Sequence, residues 1–185
     1  LVVKIKNQKE FSFQLITDTD NNLTSKITGI GVSYLKDNGY YFCFNSSNKS
    51  VIKSLFEDEH CIMIGFNLKY AIKALISHDI QIHGKLFDVQ IAHYLLNPDL
   101  RNMLEIISEN YLGVALKEES SILGKGKTKT VFSDLNKSVI TDYACERSSS
   151  IFNLAKILDK EMKKSGLIEL FEKMEMPLSQ VLAKM

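Results

Sequence analysis

The stretch FSFQLITDTD, residues 11–20, is typical of a buried strand that runs into a polar, acidic turn. Apolar side chains at Phe11, Phe13 and Leu15 recur at every second position, which is the period of a β-strand with one face in the core. Asp18 and Asp20 follow, and two carboxylates at the end of a strand are a common arrangement for holding metal ions. A bare Asp-x-Asp pattern carries little information, so the surrounding sequence has to decide its meaning.

Two further strands are expected downstream. Residues 27–35 are rich in β-branched side chains, and residues 40–44 form an aromatic run. Between them lies the pair Asn38-Gly39, which tolerates the positive φ angles of a type I′ hairpin turn. We therefore expect these three consecutive strands to form an antiparallel meander. Residues 1–6 carry a weaker strand alternation.

The remainder of the chain is mainly helical in pattern. A short buried strand is expected over residues 60–64 and a flexible loop over residues 120–130, and Asn67 is the expected N-cap of a helix. The expected helices cover residues 50–57, 67–77, 87–96, 101–112, 137–164 and a last segment after 167. Strands followed by helices predict an α/β fold whose mixed sheet is antiparallel in its first three strands and flanked by helices.

The composition limits the classes of function. With 23 basic and 22 acidic residues, the net charge of +1 neither favours nor excludes a nucleic-acid partner. No apolar run approaches the roughly 20 residues of a membrane span, so we expect no membrane partner. The cysteines and histidines show no metal-ligand spacing, and scattered cysteines favour a reducing, cytoplasmic location. The loop GKGKTKT, residues 124–130, lacks the strand–helix setting of a phosphate-binding loop and is expected to be solvated.

Seven stretches of the chain together resemble one known family. They are TGIGVSY at 28–34, GFNLKYAIKAL at 65–75, GKLFDVQIAHYLLNP at 84–98, ENYLG at 109–113, LGKGKTKTVF at 123–132, DYACERSSS at 142–150 and MEMPLSQVLAKM at 174–185. In this order they resemble the 3′–5′ exonuclease (proofreading) domain of bacterial DNA polymerase I, a family-A polymerase. The resemblance implies a ribonuclease-H-like sheet and an active site in which four carboxylates hold two divalent cations, Mg²⁺ or Mn²⁺.

The first motif of that family, Asp-x-Glu-Thr after an apolar strand, has lost both acids in this chain. The frame places Gln14 at the Asp position and Ile16 at the Glu position, while Thr17 is retained. Period-2 alternation puts Gln14 and Ile16 on the same strand face, as a metal-binding pair would require. An amide cannot neutralise a cation, and an alkyl group offers it no ligand atom. We expect Ile16 to fill the core.

The other two motifs have lost their acids as well. The helical motif Asn-Leu-Lys-Tyr-Asp keeps Asn67 but ends in Ala71, which the apolar spacing places on a buried face. The motif Tyr-x-x-x-Asp keeps Tyr143 but has Arg147 in place of the Asp, one helical turn away. We expect the Arg147 guanidinium to fill the vacated pocket and pair with an acceptor or stack on Tyr143. The alternative is that it extends past the core edge into solvent.

These replacements predict a vestigial site with no intact catalytic or metal-binding residue, because four negative charges have gone and one positive charge has arrived. Thr17, Asn67 and Tyr143 survive from the family's substrate-side frame and are therefore the nucleic-acid-binding candidates. One alternative to a purely structural domain is a non-catalytic module that binds single-stranded DNA through a retained groove, since bases stack on aromatic side chains.

Five other carboxylates lie near the motifs in sequence. Asp18 and Asp20 support a second alternative, an active 3′–5′ exonuclease that uses displaced acids, but this requires the strand to slip by four residues into the turn. Asp88 resembles a structural position of the family, and Asp142 and Glu146 flank the inward face of their helix.

The resemblance also predicts the organisation of a longer parent chain. Residues 1–175 form a degenerate 3′–5′ exonuclease-like domain, and residues 176–185 begin the polymerase domain of a DNA-directed DNA polymerase. We expect the domain to be a monomeric scaffold that holds no cofactor. Its expected partners are the polymerase domain of the same chain and DNA, contacted through the parent chain.

Overall fold

A five-stranded sheet organises the chain in the computed structural model, which describes residues 2–18, 26–126 and 129–185. The strands are β1 (Glu10–Thr17), β2 (Ile27–Leu35), β3 (Asn38–Cys43), β4 (Ile62–Gly65) and β5 (Lys85–Asp88). The helices are α1 (Val2–Gln8), α2 (Lys49–Phe56), α3 (Leu68–Ile76), α4 (Val89–Leu96), α5 (Leu104–Leu112), α6 (Glu119–Leu123), a 3₁₀ turn (Phe132–Asp134), α7 (Lys137–Lys164), α8 (Ile168–Leu170), a π turn (Phe171–Glu175) and α9 (Met176–Lys184).

The sheet is mixed, with the strand order β3-β2-β1-β4-β5. Strands β1, β2 and β3 form the predicted antiparallel meander, in which Gln14 pairs with Gly31 and Ile16 pairs with Gly29. Strand β4 runs parallel to β1, and β5 runs parallel to β4. The predicted α/β class with an antiparallel first half is therefore confirmed.

The two faces of β1 pack against two different helical layers. Phe11, Phe13 and Leu15 belong to the core that includes the buried sides of α2 and α3, and the Phe13 ring lies 4.9 Å from the Phe56 ring. The opposite face of β1 meets α7, because the Ser12 hydroxyl donates to the carbonyl of Ser148 at 2.6 Å. Helices α4 and α5 share that second layer with α7. None of the helices in the described ranges combines the length and apolar character that crossing a bilayer requires.

Glycines let the 28-residue helix α7 lie almost directly on the sheet. A Cβ atom at Gly31 would stand 2.3 Å from the carbonyl oxygen of Ala144, and one at Gly39 would stand 2.5 Å from that of Cys145. Gly39 therefore has a packing role rather than the turn role that the sequence suggested. Leu35 pairs with Asn38, so the loop between β2 and β3 consists of Lys36 and Asp37, and Asp37 takes the positive φ of 58°.

Three further expectations about local structure were wrong. The weak strand signal at the N-terminus belongs to helix α1, which buries Ile5 in the core. The expected helix over residues 87–96 begins only at Val89, because residues 85–88 pair with β4 as strand β5. The expected loop over residues 120–130 contains most of α6, and residues 127–128 lie outside the described residues.

Candidate functional site

A polar cavity of about 290 Å³ lies at the end of β1, where the resemblance places the family's active site. Strand β1, the start of α3, helix α6, the 3₁₀ turn and helix α7 each contribute to its walls. The lining side chains are those of Gln14, Leu15, Thr17, Asn67, Tyr70, Glu119, Phe132 and Tyr143. The structure thus brings together Gln14, Thr17, Asn67 and Tyr143 from three distant parts of the sequence.

The β1 side of the cavity carries an amide and an alkyl group. Gln14 is half-buried, and its Nε2 donates to the carbonyl of the adjacent Leu15 at 3.0 Å. Ile16 is fully buried and packs in an apolar cluster with Phe132 and Tyr143, as expected of a core residue. Thr17, the retained residue, shares a 2.6 Å hydrogen bond between its hydroxyl and that of Tyr70.

The N-terminus of helix α3 is capped by the carboxylate of Asp88, the last residue of strand β5. Asn67 occupies the predicted N-cap position, but it has a left-handed backbone with φ of 54°, and its side chain makes no capping bond. The buried Asp88 carboxylate instead accepts hydrogen bonds from the backbone N–H groups of Asn67 at 3.2 Å and Leu68 at 2.6 Å. It also accepts from the N–H of Gln90 at 2.8 Å, so it caps α4 as well.

The pKa of Asp88 reflects two opposed effects. Burial raises the pKa to about 6, and hydrogen bonds from four backbone N–H groups oppose this rise because they favour the charged form. Asp88 is committed to these N–H groups, which agrees with a structural position. On the next turn of α3, Ala71 is 6% exposed and packs into the core, so the expected burial of Ala71 is confirmed.

Arg147 is turned toward helix α5. Its side chain is buried, and its Nη1 lies 2.6 Å from Oε1 of Glu105 and 3.5 Å from the carbonyl oxygen of Lys117. The guanidinium carbon lies 5.0 Å from the centroid of the Tyr143 ring. The expected pairing and stacking are therefore confirmed, and the alternative of extension into solvent is wrong. Arg147 does not line the remaining cavity of about 290 Å³.

Burial and nearby charges set the protonation of Tyr143. Burial raises the pKa of its hydroxyl to about 12, Arg147 acts in the opposite direction, and the carboxylates of Glu119 and Glu105 add to the rise. Tyr143 is therefore a neutral hydroxyl at physiological pH. A neutral hydroxyl is a hydrogen-bonding group rather than a strong ligand for a divalent cation.

The other acids near the motifs do not line the cavity in the described part of the chain, with one exception. Asp18 accepts a hydrogen bond from the N–H of Ser133 at 3.0 Å, and Asp20 lies outside the described residues. Asp142 and Glu146 are exposed on α7. The exception is Glu119, whose carboxylate lies 3.7 Å from the ammonium of Lys129.

The donor set does not fit two divalent cations. Within residues 2–18, 26–126 and 129–185, no group of three or more His, Cys, Asp or Glu residues is arranged to hold a metal ion. Magnesium requires several oxygen ligands and is usually anchored by carboxylates. The cavity offers the carboxylate of Glu119 together with amides and hydroxyls. The four family positions offer no carboxylate.

Sequence reasoning missed four residues of this region: Tyr70, Glu105, Glu119 and Phe132. Tyr70 belongs to the quoted NLKY segment, so the motif itself contained the signal. Glu105 and Glu119 carried no usable signal, because Glu105 is 42 residues from Arg147 and Glu119 begins a helix in a segment expected to be mostly loop.

The family model described as DNA polymerase I, ribonuclease H-like domain, matches residues 13–154. The chain belongs to this family. DNA polymerase I of Borreliella burgdorferi is 27% identical over 194 residues, which cover 100% of this chain and 21% of that protein. The chain therefore spans about a fifth of the length of this relative. The resemblance to the exonuclease domain of DNA polymerase I, which the sequence analysis found in seven stretches, is therefore confirmed.

Solved structures confirm the ribonuclease-H-like fold. A structure of Pol1 from M. smegmatis in complex with DNA primer-template and dNTP matches with a TM-score of 0.79 at 18% identity, over 100% of this chain and 30% of that one. Brucella melitensis NrnC with bound Mg²⁺ matches with a TM-score of 0.74 at 15% identity, over 95% of this chain and 82% of that one.

Proposed function

We propose that this 3′–5′ exonuclease-like domain of DNA polymerase I has lost two-metal binding and proofreading and acts as a structural scaffold. The observation that carries the proposal is the set of side chains at the four family positions. Gln14 and Ile16 on β1, Ala71 on α3 and Arg147 on α7 stand where the resemblance requires carboxylates. An amide, two alkyl groups and a guanidinium replace four anions.

The chemistry of phosphodiester hydrolysis explains why this loss is decisive. In a two-metal nuclease, one cation lowers the pKa of the attacking water, and both cations neutralise the charge that develops on the phosphate. Without carboxylates, the cations lose their anchors, and Arg147 places a buried guanidinium where the resemblance requires an anion. The pairing of Arg147 with Glu105 supports this proposal, because it uses a nearby carboxylate to neutralise the arginine.

The scaffold role concerns the longer protein. We infer that residues 1–175 form the degenerate domain and that residues 176–185 begin a polymerase domain in the same chain. In this arrangement the domain is monomeric, holds no cofactor and contacts DNA through the parent chain. Synthesis of DNA by the parent chain then continues without editing by this domain.

A nuclease assay tests the proposal. The purified chain is incubated with a 5′-labelled single-stranded oligonucleotide in Mg²⁺ or Mn²⁺, and Arg147→Ala is tested beside it as a contamination control. We expect no shortening with either protein. Brucella melitensis NrnC, which binds Mg²⁺, serves as the reference that shows that the Mg²⁺ in the assay is available for binding. Metal-dependent shortening that differs between wild type and Arg147→Ala, or that disappears in Asp18→Asn, would refute the proposal, since contaminating nuclease would act equally in all samples.

A second candidate function is metal-independent binding of single-stranded DNA. It is favoured by the cavity of about 290 Å³ that Thr17, Asn67 and Tyr143 still line. Fluorescence polarisation with a short labelled oligonucleotide, in EDTA and at two salt concentrations, tests it. Binding that is weakened by Asn67→Ala would support this function, whereas equal binding by wild type and Asn67→Ala would assign the signal to another surface.

The remaining alternative, an active exonuclease built on Asp18 and Asp20, has a weaker basis. The Asp18 carboxylate is already used by the N–H of Ser133, and it does not line the cavity. If this alternative were correct, metal-dependent shortening of the oligonucleotide would disappear in Asp18→Asn.

A further inference from the structure

The α5–α7 cavity, of about 800 Å³, lies between helix α7, the C-terminal end of α5 and the loop that joins β2 to β3. On α7 it is lined by Cys145, Ser149 and Asn153, whereas Tyr143 lines the cavity of about 290 Å³ at the end of β1. The two cavities share no lining residue, and the helical repeat places the two sets on different faces of α7. The α5–α7 cavity is therefore separate from the vestigial site, and its volume is within the range of about 300–1,000 Å³ that is typical of small-molecule sites.

Aromatic and aliphatic side chains form part of the wall of the α5–α7 cavity. Tyr111 and Leu112 contribute from the end of α5, and Phe152 and Ile157 contribute from α7. Phe152 is 6% exposed and belongs to the core of the second layer, so its ring is held in place. Tyr111 is also fixed, because its hydroxyl accepts a hydrogen bond from Nδ2 of Asn97 at 2.8 Å. Rings in fixed positions favour an aromatic ligand, which packs on them in a stacked or edge-to-face arrangement.

Helix α7 adds two serine hydroxyls that have no protein partner in the described chain. Ser150 is only 5% exposed, and neither its hydroxyl nor that of Ser149 forms a hydrogen bond with a described residue. By contrast, Ser148 on the same helix does not line the cavity and donates to the carbonyl of Cys145 at 3.2 Å. A nearly buried hydroxyl costs free energy unless water or a ligand bonds to it. These hydroxyls therefore favour a ligand that carries a hydrogen-bonding group.

The charges around the α5–α7 cavity balance. The lining residues include two cations, Lys36 and Lys156, and two anions, Asp37 and Glu146. Burial raises the pKa of the Cys145 thiol, so this side chain is neutral at physiological pH. Phosphate groups bind where Lys and Arg are in excess, which is not the case in this cavity. The cavity therefore favours a neutral ligand over a nucleotide or a strand of DNA.

We propose that the α5–α7 cavity binds a neutral aromatic molecule that carries a hydrogen-bonding group. In this complex the aromatic ring packs against Tyr111 and Phe152, and the polar group bonds to the hydroxyl of Ser150. The ligand contacts both α5 and α7, so it stabilises the folded chain. The inference goes beyond the proposed loss of catalysis and does not depend on it, because no residue of the vestigial site lines this cavity.

Titration of the chain of 185 residues with two matched fluorescent probes tests the proposal. N-phenylnaphthylamine is neutral and aromatic and has an N–H group, and anilinonaphthalene sulfonate has the same rings with an added negative charge. We expect saturable binding of the neutral probe at a single site per chain. The sulfonate is expected to bind at least about tenfold more weakly, because the cavity has no excess of cations to compensate its charge.

A substitution in the cavity wall assigns the binding to this site. Ser149 is partly exposed on the wall, so Ser149→Trp places an indole in the cavity. The matched control is Ser54→Trp, at an exposed position of α2 outside the cavity. We expect Ser149→Trp to weaken binding of the neutral probe at least about tenfold, and Ser54→Trp to leave it unchanged.

Alkylation of the cysteines by N-ethylmaleimide provides a second measurement that needs no substitution. Cys145 lines the cavity, whereas Cys43 on β3 is also partly exposed but does not line it. We expect the neutral probe to slow the modification of Cys145 and to leave that of Cys43 unchanged, as followed by mass spectrometry of peptides.

Three results would overturn the proposal. The first is the absence of saturable binding of the neutral probe. The second is saturable binding that Ser149→Trp does not weaken and that does not protect Cys145, which would assign the probe to another surface. The third is tighter binding of the sulfonate than of the neutral probe. None of these readouts involves metal or DNA, so each would leave the proposed loss of catalysis unaffected.

Discussion

Arg147 on α7 and Glu105 on α5 form an ion pair, with 2.6 Å between Nη1 and Oε1, and their side chains are only 10% and 18% exposed. The pair joins two helices of the second layer at the position where the resemblance places a carboxylate. Because both charges are largely removed from water, each depends on the other for compensation.

The first prediction concerns this pair. Glu105→Ala leaves the Arg147 guanidinium buried without its carboxylate, so we expect the free energy of unfolding to fall by about 3 kcal/mol. Urea denaturation followed by circular dichroism measures the change. The matched control is Glu109→Ala on the exposed side of the same helix, for which we expect a change within about 0.5 kcal/mol. Equal effects of the two substitutions would show that the pair has no special role.

The second prediction concerns the pH dependence of stability. The pKa of Asp88 is raised by burial to about 6 in the folded protein, against about 4 in an unfolded chain. The folded state therefore binds the proton more tightly, so this contribution to stability is complete below about pH 4 and is lost as the pH rises through about 6. The pKa difference corresponds to about 3 kcal/mol.

Urea denaturation at several pH values between 4 and 8 tests the role of Asp88. We expect Asp88→Asn to flatten the decline in unfolding free energy between about pH 4 and pH 6, because the substituted side chain does not titrate. Asp99→Asn, at an exposed position, serves as the control and should retain the wild-type profile. An unchanged profile in Asp88→Asn would contradict the assignment.

The third prediction separates a packing glycine from a turn glycine. A Cβ atom at Gly39 would stand 2.5 Å from the carbonyl oxygen of Cys145, so we expect Gly39→Ala to destabilise the fold by about 2 kcal/mol. The exposed neighbour Asn38 has no such contact, and Asn38→Ala should change stability by less than about 0.5 kcal/mol. Thermal unfolding of both variants measures the difference. Comparable losses in both would restore the interpretation of Asn38-Gly39 as the centre of the turn.

The sequence predicted the parts of the fold that depend on local pattern. The alternation around Phe13 predicted β1, and the helical pattern over residues 137–164 predicted α7, as observed. Strand β5 was missed because residues 85–88 become a strand only through pairing with β4, which a local pattern does not encode. Gly39 was misassigned for a similar reason, since its neighbour in space is Cys145, more than a hundred residues away in sequence.

The candidate site also has a part that the sequence predicted and a part that it did not. The family resemblance placed Gln14, Thr17, Asn67 and Tyr143 at one site, and the structure finds all four around one cavity. The partner of Arg147 could not be predicted, because the pairing with Glu105 depends on how α5 packs against α7.

Calorimetric titration of the chain with Mn²⁺ tests the central claim most directly. The proposed loss of two-metal binding predicts no heat of binding beyond dilution at millimolar Mn²⁺ and no rise in the unfolding temperature, because a cation that does not bind the folded state cannot stabilise it. Saturable heat with a stoichiometry of one or two Mn²⁺ per chain, together with a raised unfolding temperature, would contradict the claim.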